Sequence, residues 1–277
     1  MKRTIAIISG LLLCLGLLAQ DRQSFIDSYS RQVNRLGYAG VGVEGILNKW
    51  EAAFPDDGLM MEARSAYYMA KSRSSQVITL DKNKYLGAKP VLSLPDSTGK
   101  VVNYFEDYVY DPDCFAKAME WIDKAIALYP RECCYSFDKV TALVEYEKMD
   151  PELASDLLIE MVDKHLKDKD YWLTDGEAVA WEDFSSAVQE YCYKLYLIGS
   201  ERSYETFRIV SEKMAKAYPK EVNYLTNLGS YYLIVRQNDK KALLYYTKAL
   251  KIDPEDPTAK NNIQVIERRA AQAKKKK

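Results

Sequence analysis

The sequence predicts an all-α fold: a solenoid of about five antiparallel helix pairs plus a closing helix, carrying a small β-hairpin insertion. Two observations carry this reading. First, one spacing recurs, as Ala118-x3-Ile122-x2-Ala125-x4-Pro130 and as Ala242-x3-Tyr246-x2-Ala249-x4-Pro254. It marks one face of a helix that a proline then stops. Second, five end points, four at prolines (55, 130, 219 and 254) and one at Leu166, where the spacing recurs without the proline, lie 75, 36, 53 and 35 residues apart. A period near 34 explains 36 and 35 directly, 75 as one period plus about 41 inserted residues, and 53 as one period plus about 19.

Composition narrows the function classes. With 48% hydrophobic residues, the 277-residue chain can pack a core, which excludes wholesale disorder. Its 39 basic and 40 acidic residues leave a net charge of −1, so no general basic field exists and nucleic acid is not an expected partner. A single histidine excludes any site that needs two imidazoles, and no Cys-x2-Cys metal or redox motif is present. No cofactor is implied. Most of the 22 tyrosines fall at packing positions.

The chain opens with basic Met1-Lys2-Arg3, followed by a nearly unbroken apolar run from Ile5 to Leu18 that ends at Ala19. This is the pattern of a secretory signal peptide over 1–19. About 14 apolar residues are short for a bilayer that needs roughly 20, so no stable membrane insertion is expected after cleavage. Cys14 raises a lipoprotein alternative, which the large Leu13 before it disfavours. The protein is therefore expected to be exported, periplasmic or secreted, where disulfides are permitted. An adjacent Cys133–Cys134 bridge would be strained. The helix assignment puts Cys114 and Cys133 at opposite ends of one helix, roughly 24 Å apart, so thiols are expected for these and for Cys192.

The first helix pair runs from Arg22 to Pro55, turning at Gly37 to Gly42, with Val43-x3-Leu47-x2-Trp50-x4-Pro55 as its second helix. The second begins at Leu59 and resumes at Asp113. The segment 75–111 between them reads as β-rich: Gln76 to Leu80 alternates, and Val91–Leu94 and Lys100–Tyr104 flank a Pro95-to-Gly99 loop, a hairpin signature. The third pair spans Cys133 to Leu166, and 167–176 is a charged loop insertion containing Trp172. The fourth runs from Glu177 to Pro219 and the fifth from Lys220 to Pro254. Pro257 to Ala273 closes the array with a polar outer face, as solenoid ends require, and 274–277 is a solvated basic tail.

The fifth pair reads Leu225-x2-Leu228-Gly229-x2-Tyr232 before its Ala242-to-Pro254 half. This resembles the tetratricopeptide repeat, W-x2-L-G-x2-Y followed by A-x3-F and a late proline. Leu225 stands for Trp and Tyr246 for Phe, and the link around Gln237-Asn238-Asp239 is one residue longer than usual. Gly229 and Ala242 leave room for two helices to cross closely. The resemblance covers most of 20–273, and the Ala-Gln junction resembles that of exported proteins of Bacteroidota. It implies a non-catalytic interaction scaffold of the cell envelope whose concave groove, lined by first helices, holds a protein or peptide segment. Asn227 and Asn262, one period apart, occupy the place where such proteins often present an asparagine to ligand backbone, a task that suits an amide because it both donates and accepts. Asn223, Ser230 and Tyr231 accompany them, and Asp138 is the corresponding residue of the third pair. Helical repeat scaffolds of this kind also serve sugar uptake. The alternative is therefore a glycan-binding accessory protein using exposed aromatics, namely Tyr104, Phe105, Tyr108 and Tyr110 of the insertion with Trp172.

Other motifs have plainer readings. Gly40-x-Gly42-x2-Gly45 matches a dinucleotide-binding pattern but lacks the preceding strand, so it reads as a turn plus a close helix crossing. His165, near a helix C-terminus, reads as structural, its partial positive charge complementing the helix dipole. Asp56-Asp57 and Glu106-Asp107 read as solvated turn or insertion residues.

Overall fold

The computed structural model describes residues 21–275. The leader, with Cys14 and the expected cleavage site, lies outside them, as do the last two lysines. Eleven α-helices occur among the described residues: α1 (21–36), α2 (Val43–Ala53), α3 (Gly58–Ser72), α4 (Pro112–Leu128), α5 (Cys133–Glu147), α6 (Glu152–Lys167), α7 (Trp181–Ile198), α8 (Glu201–Ala217), α9 (Val222–Ser230), α10 (Asp239–Ile252) and α11 (Pro257–Lys275). Strands β1 (Arg73–Leu80), β2 (Leu92–Pro95) and β3 (Val101–Tyr110) form a sheet in the order β1-β3-β2, and β4 (Leu173–Thr174) pairs with β5 (Glu177–Ala178). The chain is thus mainly helical, with little sheet. Its described residues divide into two compact units, one comprising 21–78 with Glu106–Lys139, the other Thr79–Phe105 with 140–275.

In the first unit the expected helix stops are where α2 and α4 end. Phe54 N–H closes onto the Trp50 carbonyl and Tyr129 N–H onto that of Ala125, each at 2.8 Å, and a proline follows in each case. Val43, Leu47 and Trp50 form one buried stripe on α2 and pack with Met60, Met61 and Tyr67 of α3 and Ile122 and Ala125 of α4. α3 packs on α4, so the chain resumes beside the helix it left before the insertion. At the α1–α2 turn, Gly37 and Gly42 take positive φ (79° and 89°), a conformation that other residues adopt at a cost. Gly45, expected at a close crossing, has nothing within 4 Å of where a Cβ would be, so that expectation is corrected.

Asp57 also departs from the sequence reading. It is not a solvated turn residue. Its side chain is 6% exposed and caps α3 through Leu59 N–H at 3.1 Å. It also accepts from Arg22 Nε and Nη2 at 2.7 and 2.9 Å and from Trp50 Nε1 at 2.9 Å. Asp107 is likewise buried, on β3, and accepts from Gln76 Nε2 at 2.9 Å. Cys133 opens α5 rather than ending the helix of Cys114, and no disulfide joins the four described cysteines.

The insertion adopts the expected hairpin, β2 antiparallel to β3 with Leu92 opposite Tyr104 and Pro95 opposite Val101. Its turn is held by Asp96, whose Oδ1 accepts from the N–H groups of Thr98 and Lys100 at 2.8 and 3.0 Å, and Gly99 takes φ 83°. Asn103, Phe105 and Asp107 are buried alternately along β3, the period-2 pattern of a half-covered sheet.

In the second unit α7 packs on α8, α8 on α6 and α9, and α10 on α9 and α11. Ion pairs Arg202–Glu152 (2.7 Å) and Lys213–Asp163 (2.5 Å) tie α8 to α6. Two details were not read from the sequence. The segment 173–178 is a hairpin, not a loop: Asp175 and Gly176 take φ 53° and 80°, the pattern an Asp-Gly turn favours. Between α9 and α10 the chain makes a π-helical turn, Tyr231–Val235, directly after α9. Arg236 N–H bonds the Tyr231 carbonyl at 3.2 Å, the i→i+5 pattern.

His165, in the last turn of α6, is 2% exposed. Its ring lies 4.3 Å from Phe184 and 5.7 Å from Trp181, near-parallel to both, and Nε2 is 2.8 Å from the Tyr218 hydroxyl. Burial, with Lys169 adding to it, pushes its pKa below the ordinary 6.5. The residue is structural, as expected, but neutral, so the expected dipole contribution is corrected. A folded state that protonates later than the unfolded one gives stability that is present above the unfolded pKa and lost as pH falls below it. Because the imidazole is the chain's only one, proton NMR titration should report a pKa below 6.5 in the folded protein. Between about pH 7 and pH 5 the melting temperature should fall less in His165→Phe than in the wild type. An imidazole titrating at its ordinary value would contradict the buried stack.

Candidate functional site

Helix α7 has two faces. Phe184, Val188, Tyr191, Cys192 and Leu195 form its buried stripe. Ser186, Gln189, Glu190, Tyr193 and Lys194, spaced by three and four residues, lie together on another face and line a shallow depression open to solvent. Tyr193 is 64% exposed there. The Lys194 ammonium sits 5.1 Å from the Tyr191 ring centre, a cation–π distance. α9 adjoins this face. Its apolar side buries Tyr224, Leu225 and Leu228, while Asn223 is exposed and Asn227 and Ser230 are half-buried.

Asn227 joins the two helices. Its Nδ2 donates to Gln189 Oε1 at 2.9 Å and to Ser211 Oγ on α8 at 3.2 Å. Asn262 of α11 lies beside the Tyr246 hydroxyl of α10 and works against the rise in its pKa. Both contacts reach back 16 residues to the preceding helix, so the two asparagines are equivalent in place as well as in spacing. Each amide is therefore a joint between helices rather than a wholly free group. At Asn227 the Oδ1 acceptor and the neighbouring Gln189 Nε2 donor are what a ligand can use.

The other expected site residues fall as follows. Ser230 Oγ bonds the Tyr246 hydroxyl at 3.1 Å. Tyr231 is 4% exposed, with its hydroxyl 3.4 Å from Glu205 Oε2. Asp138 belongs to the first unit, where it pairs with Glu62; loss of water around its carboxyl pushes its pKa up against the lowering effect of that bond. In the insertion, Tyr104 is half-buried and Phe105 is 1% exposed. Tyr108 lies under the Arg73 guanidinium at 4.5 Å, and the Tyr110 ring is 6.3 Å from that of Phe115. Trp172 is 1% exposed and donates from Nε1 to the Met161 carbonyl at 3.1 Å. The expected exposed platform of Trp172 with Phe105 is therefore corrected: both rings are core, and the indole N–H is already satisfied.

Gln189, Tyr193 and Ser211 were not singled out from the sequence. The signal for the first two was present, as a polar row at helical spacing opposite an apolar one. Nothing local distinguishes Ser211, since its role depends on which helix crosses it. No protein-family model and no curated protein sequence matches this chain.

Proposed function

We propose that the chain is an exported array of tetratricopeptide-like helix pairs that acts as a non-catalytic scaffold, holding a segment of a partner protein against the α7–α9 face. One observation carries the reading: the Gln189–Asn227 amide pair presents one donor and one acceptor beside the exposed Tyr193 ring. A donor and an acceptor side by side match the N–H and C=O of an extended peptide, and an aromatic ring supplies apolar contact at low entropic cost. The repeat assignment is supported by the helix ends at the three Phe/Tyr-Pro stops, by the 16-residue reach of Asn227 and Asn262, and by the packing of Gly229 against Tyr246. Export is supported by the basic and apolar leader alone.

The test is quantitative affinity isolation from envelope extract with wild type and with a Gln189→Ala/Tyr193→Ala variant, folding checked by circular dichroism. A partner recovered with the wild type should fall roughly tenfold or more with the variant, the effect of truncating an aromatic anchor. Equal recovery from a folded variant would remove this face from the site.

A further inference from the structure

A second cleft lies elsewhere in the same unit, where the π-helical turn faces α8. It is lined by Glu205, Arg208, Tyr231, Tyr232, Arg236 and Lys241, among others. Four of these carry charge, three positive and one negative. Arg208 is already committed, since its guanidinium engages Glu205 and Glu212 in the ladder of α8. The Arg208 bonds and, to a lesser degree, the Tyr231 hydroxyl and the Arg236 charge hold the Glu205 carboxyl below its ordinary pKa. Arg236 and Lys241 are different. Both are exposed, and neither forms an ion pair with a carboxylate among the described residues, although the Arg236 charge is felt at Glu205 across the cleft. Lys241 instead lies 4.8 Å from the centre of the Tyr232 ring, which stacks on Tyr245 at 5.6 Å with the planes 3° apart. The N–H of Lys241 is taken by the Asn238 cap of α10 at 3.0 Å, so at this residue it is the side-chain cation that faces the cleft.

The π-helical turn is why these groups meet. An ordinary helical turn would advance the chain one residue sooner and rotate Arg236 by about 100° around the axis. The five-residue turn places Tyr231 and Arg236 on the same cleft, and Gln237 then takes φ 48°, an uncommon value for a non-glycine residue. We infer that this cleft is an anion site, in which Arg236 and Lys241 bind an oxyanion, carboxylate or phosphate, carried by a partner, beside the Tyr232 ring. A guanidinium offers paired N–H donors matched to such a group. The site does not depend on the α7–α9 face.

Calorimetric titration of the purified protein tests it, with hexaglutamate peptide, inorganic phosphate and neutral hexaglutamine as probes. Hexaglutamate or phosphate should bind, and hexaglutamine should not. Binding by the peptide alone assigns the site to carboxylates, and binding by phosphate assigns it to phosphate. Arg236→Gln/Lys241→Gln should weaken the bound probe roughly tenfold or more, and added salt should weaken it in the wild type. Lys194→Gln, on the α7–α9 face, should leave this binding unchanged, so loss of one site is separable from loss of the other. The inference is overturned if neither anion binds the wild type, if the double variant binds as well as the wild type, or if Lys194→Gln abolishes binding equally.

Discussion

Gly229→Leu should lower the free energy of unfolding by about 3 kcal/mol or more, at the upper end of the range for overpacked cores. A Cβ placed at Gly229 would sit 2.5–2.7 Å from three atoms of the Tyr246 ring, closer than carbon atoms approach. The ring cannot swing aside cheaply. Tyr246 is fully buried, and its hydroxyl is held by Ser230 at 3.1 Å and lies beside Asn262. Three helices, α9, α10 and α11, thus meet on one side chain. Accommodating leucine means separating α9 from α10 and opening the core of Leu225, Leu233, Ala242, Ala249 and Ala259 around it. Urea unfolding measures the loss, and Gly229→Ala should give an intermediate one. A Gly229→Ala/Tyr246→Leu double variant should be less destabilised than the sum of its single changes, because the smaller side chain removes the clash; contacting residues couple in this way. A Gly229→Leu protein as stable as the wild type would mean that these helices do not cross at this residue.

The features legible in the sequence were those written in local chemistry. Proline stops, the apolar spacing of α2, α4 and α10, and the Asp96-to-Gly99 turn all act within a few residues, and each was placed correctly. Gly229 was legible because a glycine inside an otherwise strong helix pattern needs a packing reason. What escaped was set by long-range partners. Asp57 looks like half of a polar turn until Arg22, 35 residues away, and Trp50 converge on it. Trp172 looks available in a charged segment until the 173–178 hairpin folds its ring under α6, and that hairpin's Asp175-Gly176 signature was the overlooked local clue. The longer link at 237–239 was legible, but the π-helical turn before it was not. One-period spacing identified Asn227 and Asn262 but could not show that each is set against a neighbouring helix, nor that only the Oδ1 of Asn227 stays open on the α7–α9 face.

Asp57→Ala should be comparably severe in the first unit, at about 3–5 kcal/mol, the cost of breaking a largely buried, hydrogen-bonded charge. The carboxylate serves three separate clients. It caps α3, and losing a cap costs typically about 1 kcal/mol. It satisfies the indole N–H of Trp50, which is 1% exposed and would be left without an acceptor, adding about 1–3 kcal/mol. It anchors α1 through the two bonds from Arg22, whose side chain is 41% exposed, so solvent screening leaves that pair the smallest share. These clients can be separated. Asp57→Asn keeps an acceptor for the cap and loses the charge, and should fall roughly midway between wild type and alanine. Arg22→Gln removes only the outer pair and should cost about 1 kcal/mol or less. Because Arg22 is the tie from α1, hydrogen exchange should accelerate in 21–36 in both Asp57 variants before it does in α4. Alanine and asparagine variants that unfold together with the wild type would show that Asp57 is the solvated turn residue its sequence context suggests. A loss confined to Arg22→Gln would place the energy in the ion pair rather than in the buried cap and indole.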